Sequence, residues 1–138
     1  MKYLSFICSF ALFLCPDIKS QPYKKEIQRS IDSQKEKFEK IAKSIWAWAE
    51  VGYQEEKSTA LLKKTLSDEG FEVRSGVAEI PTAFVAEYGS GFPIIGILAE
   101  YDALPGISQS VSTKRIPIKA NNAGHACGHH LFGTASTA

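Results

Sequence analysis

The chain has 138 residues, enough for one small domain, with 44% hydrophobic residues, 22% charged residues and a formal net charge of +1. This is the make-up of a globular protein. No basic excess points to nucleic acid, and no acidic block points to a disordered tail.

In chain order, Lys2 precedes a nearly unbroken apolar run from Tyr3 to Leu14, followed by Pro16, Asp17 and Lys19. A charged start and an apolar run too short to span a bilayer comfortably read as a secretory signal over residues 1–20. Ile18 and Ser20 serve as the −3 and −1 residues of the expected cleavage site, which leaves Gln21 as the mature N-terminus and residues 21–138 as the working part. A lipid on Cys15 is disfavoured by the bulky Leu14 before it, and an uncleaved membrane anchor is the bland alternative. The expectation is export. Of 16 basic and 15 acidic residues, cleavage removes Lys2, Lys19 and Asp17 and leaves 14 of each. It also removes Cys8 and Cys15, so Cys127 stands alone. A single cysteine makes no intrachain disulfide, and metal ligation is one good reason to keep a free thiol in an oxidising compartment.

From Lys24 to about Val51, apolar residues recur at Ile27, Ile31, Phe38, Ile41, Ile45 and Trp48. Spacings of three, four and seven mark one face of a long helix, which Gly52 ends. Trp46 and Trp48 sit beside core-facing positions, so packing is their expected role rather than ligand stacking. A second helix is expected from about Glu55 to Glu69, with Glu55 and Glu56 at its positive end and Leu61, Leu62 and Leu66 as its stripe. Gly70 suits the residue just past its end.

After Gly70, Phe71-Glu72-Val73 alternates, Ala83–Ala86 reads as a short strand and Gly89-Ser90-Gly91 as a turn. Pro93–Ala99 is a continuous apolar run, the pattern of a strand buried on both faces of a sheet. Two helices followed by strands predict an α/β layer architecture with a mixed sheet. Residues 106–123, rich in Ser, Asn and Lys, predict a surface loop.

Every histidine in the chain lies in Gly124-His125-Ala126-Cys127-Gly128-His129-His130. Thiolate and imidazole bind zinc-like metals well, and residues i and i+2 of an extended segment point to one side, so Cys127 and His129 make a candidate metal half-site. Two ligands bind weakly, and zinc sites use three or four. The competing chemistry is a Cys127 nucleophile activated by a histidine, for which i, i+2 spacing rarely gives the needed geometry. Upstream, Asp102 emerges just past the apolar run, where functional groups gather in α/β sheets. It is placed either to orient a metal-bound histidine or simply to hydrogen-bond the Pro105-Gly106 turn.

Taken together, Glu100-Tyr101-Asp102-Ala103-Leu104-Pro105-Gly106, the segment from Gly124 to Ala135, and Trp48-Ala49-Glu50-Val51-Gly52-Tyr53-Gln54-Glu55-Glu56 with Ser58 resemble the metal-dependent amidohydrolases. That family includes aminoacylases, carboxypeptidases and indole-acetyl-amino-acid hydrolases, and the likeness, over residues 30–138, is nearest to its aminobenzoyl-glutamate utilisation type. The resemblance implies that Cys127 and His129 ligate one side of a site for two divalent metal ions, zinc or manganese, and that Asp102 belongs to the shell orienting it. His130 departs from the Asp or Asn of many relatives. It further implies a small amide or peptide substrate, a homodimer at full length, and a general-base glutamate, further ligands and a lid domain in chain beyond Ala138. The chain is then the N-terminal part of a catalytic domain, inactive by itself. The alternatives are a non-enzymatic metal- or partner-binding fragment and a cysteine hydrolase.

Overall fold

The computed structural model describes residues 21–118 and 122–138. The expected secretory signal over 1–20 lies outside the described residues. The chain divides into two units, one ending at Ser33 and one beginning at Gln34, and helix α1, Gln21–Trp48, runs through the boundary. Within the described residues of the first unit, α1 exposes Tyr23, Ile27 and Ile31, so the early part of the predicted apolar stripe is not buried. No helix of the described residues is long and apolar enough to cross a membrane.

In the second unit Phe38, Ile41 and Ile45 pack as their spacing predicts, whereas Trp48 is 37% exposed, against the packing role expected of it. Phe38, Ile41 and Ile45 of α1 meet Leu61 and Leu62 of α2 (Glu56–Asp68), with Phe84 and Tyr101 closing the cluster. Ile45 and Leu62, at 0% and 1% exposure, are its centre. Trp46 is half-buried, and Trp48 is the last helical residue. Helix α2 stops as predicted. Gly70 takes φ 89°, and the amides of Gly70 and Phe71 donate to the carbonyls of Ser67 and Leu66 at 3.0 and 3.1 Å. That pair of bonds is the Schellman arrangement, which needs a left-handed residue at this point.

Its start carries Glu55 and Glu56 as expected, at the N-cap and in the first turn. Glu55 makes no capping bond, and its carboxylate instead accepts the Thr82 hydroxyl at 2.6 Å. Glu50 does the capping: its carboxylate accepts the amides of Lys57 and Ser58 at 3.0 and 2.8 Å and the Ser58 hydroxyl at 2.7 Å. These are orphan donors of the first helical turn, at the positive end of the helix dipole.

Strands β1 (Glu72–Ser75) and β2 (Phe84–Glu87) pair antiparallel, with Glu72 opposite Glu87 and Ser75 opposite Phe84. A 3-10 turn at Val77–Glu79 lies in their connection. Pairing of the other sense is present only as a bridge: Val51 meets Ala103 in parallel, while Leu104 meets Gly124 antiparallel. The α/β class holds, with the sheet in fragmentary form.

Pro93–Ala99 is the correction. Among the described residues no strand pairs with it, and Ile94, Ile95, Ile97 and Leu98 are 72–83% exposed. Continuous apolar character marks a segment that gains by burial on two faces, but burial needs neighbours, and among the described residues these side chains remain exposed. Helix α3, His129–Thr137, completes the fold, and its Ser136 hydroxyl donates to the Leu98 carbonyl at 3.0 Å.

Candidate metal centre

The segment 100–104 lies in neither named strand, and Ala103 and Leu104 make isolated bridges to Val51 and Gly124. Tyr101 points into the core beside Phe84 and donates its hydroxyl to the Thr82 carbonyl at 2.6 Å, with Thr59 Oγ1 at 3.0 Å. Burial pushes the Tyr101 phenol above its ordinary value, against the opposing pull of the Thr59 bond. Glu100 and Asp102 take the opposite side. The backbone here is pinned from both flanks. The Ala103 amide donates to the Glu50 carbonyl at 2.7 Å, and Leu104 and Gly124 exchange two bonds of 3.0 Å.

Two glycines bring the histidine segment onto this strand. A Cβ at Gly124 would lie 1.9 Å from the Ile107 carbonyl oxygen, and one at Gly133 would lie 2.9 Å from both the Glu100 carbonyl oxygen and Tyr101 Cβ. Only hydrogen fits at these approaches. Between them, Gly128 adopts φ 77° and launches α3, so His129 is the first residue of the helix.

The outcome is an imidazole held between two carboxylates. His129 Nδ1 lies 2.7 Å from Asp102 Oδ1, and His129 Nε2 lies 3.1 Å from Glu100 Oε2. Among the described residues, Glu100, Asp102 and His129 form a group whose ligand atoms all lie within 4.8 Å of one another. A neutral imidazole has one N–H and can donate to only one of these oxygens. The other nitrogen then turns a lone pair toward a carboxylate, an arrangement that a divalent cation would satisfy by taking both as ligands. The donor set fits such an ion: imidazole and carboxylate are common ligands of zinc and manganese, and a carboxylate on the far imidazole nitrogen fixes ring and tautomer.

Of the residues singled out in the sequence, the structure brings Asp102 and His129 into direct contact. Cys127 is exposed and lies outside the three-residue group. The extended backbone assumed for Cys127 and His129 is absent: Ala126 and Cys127 form a turn, closed by the Gly128 amide donating to the His125 carbonyl at 3.2 Å. His130 stacks at a tilt on His125, ring centroids 4.9 Å apart. His125 Nε2 donates to the Ile45 carbonyl at 3.1 Å, which leaves its Nδ1 a bare acceptor, buried and unpartnered like that of His130. Burial holds both rings below the usual histidine range; for His125 the Ile45 bond opposes this, and for His130 the His125 charge adds to it.

Sequence reasoning gave Glu100 no role. The signal was there: Glu100 and Asp102 are two apart on a segment that must be extended, so they share a face.

No protein-family model matches the chain. It is 38% identical over 113 residues to one of the component chains of the p-aminobenzoyl-glutamate hydrolase of Escherichia coli (strain K12), covering 81% of this chain and 24% of that protein. It is 30% identical over 121 residues to the Xaa-Arg dipeptidase of Homo sapiens, covering 78% and 24% respectively. With the hippurate hydrolase of Campylobacter jejuni it shares 33% identity over 92 residues, 67% of this chain and 24% of the relative. The chain thus spans about a quarter of the length of these curated relatives. With such identities running through most of its length, the chain belongs to the amidohydrolase family that these relatives represent.

Proposed function

We propose that the full-length protein is an exported, metal-dependent amidohydrolase acting on a small amide: an N-acyl amino acid, a short peptide or an aminobenzoyl-glutamate-like compound. The observation that carries this reading is His129 set between Asp102 and Glu100 in a chain related to hydrolases of p-aminobenzoyl-glutamate, hippurate and Xaa-Arg dipeptides. Cys127 and His129 serve as ligands of a centre for two divalent ions, zinc or manganese. Asp102 accepts from His129 Nδ1 and keeps Nε2 free to ligate. When bound, such ions polarise the scissile carbonyl and acidify water. The remaining groups, the proton-transferring glutamate included, come from further chain, so residues 21–138 alone are inactive. The full-length protein works as a homodimer and has no nucleic-acid partner.

The test uses the full-length protein with hippurate, p-aminobenzoyl-glutamate and an arginine-ended dipeptide, before and after chelation. Hydrolysis of at least one substrate is expected, abolished by chelator and restored by zinc or manganese. His129→Ala should lower kcat/KM by at least about 100-fold, of the order found even for groups that only support a ligand. Hydrolysis that survives both chelation and His129→Ala refutes the proposal. Hydrolysis that survives chelation but is lost to a thiol alkylator would assign the chemistry to Cys127 as nucleophile.

A further inference from the structure

We propose that Glu100 supplies an oxygen ligand to the cation held at His129 Nε2, so that the ion sits between helix α3 and the strand that carries Asp102. The inference rests on the metal-centre reading above and adds a donor to it.

Three observations converge on this position. First, Glu100 Oε2 and His129 Nε2 are 3.1 Å apart. Donors bound at about 2.0–2.2 Å to one ion stand roughly 3.0–3.5 Å from each other at tetrahedral or octahedral angles, so this separation suits two atoms of one coordination sphere. Second, the opposite ring nitrogen is already committed. Asp102 Oδ1, 2.7 Å away, accepts from Nδ1 in the tautomer that leaves Nε2 as a lone pair facing Glu100. In that tautomer a cation between the two electron-rich atoms would draw both as ligands. Third, the placement of Glu100 is built into the backbone. Its carbonyl oxygen lies against Gly133, one turn into α3, where a Cβ would approach to 2.9 Å. Helix and strand therefore meet at Glu100, and its side chain is held opposite the first residue of the helix. The carboxylate also changes the character of the site. A hard oxygen with full negative charge beside imidazole favours manganese relative to a site of soft ligands alone.

The experiment uses the metal-free full-length protein, titrated with Mn2+, Zn2+ and Co2+ against a chromophoric chelator. Glu100→Gln keeps the size of the side chain and removes its charge. It should weaken Mn2+ binding by about 10- to 100-fold, the range known for groups that support metal sites, and weaken Zn2+ binding less. Glu100→Cys, loaded with Co2+, should add thiolate-to-metal charge-transfer absorption beyond that of the wild type, which arises only if position 100 touches the ion. His129→Ala tests the underlying centre in the same titrations and should lose the ion. Unchanged affinity in Glu100→Gln together with no added absorption in Glu100→Cys, while His129→Ala loses binding, overturns the role of Glu100 and leaves the centre standing. Undiminished binding in His129→Ala overturns the centre itself.

Discussion

Glu50 joins the helical layer to the strand that carries the candidate metal residues, and its removal gives a two-sided test. Its side chain caps α2 through three hydrogen bonds of 2.7–3.0 Å, while its carbonyl accepts the Ala103 amide at 2.7 Å, next to Asp102. Replacing a capping side chain costs about 1 kcal/mol, and bonds to a charged acceptor are worth more, but this carboxylate is half-exposed and screened. Glu50→Ala should therefore cost about 1–2 kcal/mol, a fall in Tm of roughly 5–10 °C for a domain of this size. The same residue predicts a pH dependence. Burial alone would raise the Glu50 carboxyl, but the bonds from the Lys57 amide and from the Ser58 amide and hydroxyl outweigh it and hold the group below 4.5. A depressed carboxyl stabilises the fold above its unfolded value, and that contribution disappears as pH falls through the folded value. The stability gap between wild type and Glu50→Gln should be full at neutral pH and begin to close below about 4.5. Thermal unfolding from pH 7 to pH 3 reads both effects. A Glu50→Ala variant as stable as the wild type, or a gap that widens on acidification, refutes the capping role.

Further outcomes follow from the packing. Ile45→Ala empties a fully buried position and should cost about 2–5 kcal/mol in urea unfolding. Gly124→Ala places a Cβ against the Ile107 carbonyl and should break the Leu104–Gly124 pairing, seen as faster amide exchange at both residues; unchanged exchange would show that the loop yields at no cost. Tyr101→Phe removes the hydroxyl shared by Thr82 and Thr59 and should cost about 1 kcal/mol, with the Phe84 contact retained.

What could be read in advance divides along physical lines. The apolar spacing of α1 beyond Gln34, the stripe of α2 and the stop at Gly70 are local patterns, and each appears where its periodicity or left-handed glycine requires. The Asp102–His129 contact spans 27 residues, and the sequence supplied its members but not their approach. The capping of α2 by Glu50 was illegible, because its approach to the Lys57 and Ser58 amides depends on how the chain turns between the two helices. Pro93–Ala99 was misjudged for the complementary reason: an apolar run reports an affinity for burial, whereas the burial itself belongs to whatever surrounds it. The left-handed turn at Gly128 likewise defeats a period-two argument across Cys127 and His129.

The glycine contacts at 124 and 133 have a consequence for how such a site can change. At Gly124 main chain rests on the main chain of Ile107, and at Gly133 helix α3 rests on the Glu100 carbonyl and the Tyr101 side chain. If positions 100, 102, 127 and 129 hold a metal as proposed, their side chains are the part of the site open to exchange. A combinatorial library confined to those four positions should stay folded while its preference among metals drifts. A single methyl group added at either glycine would shift every donor together.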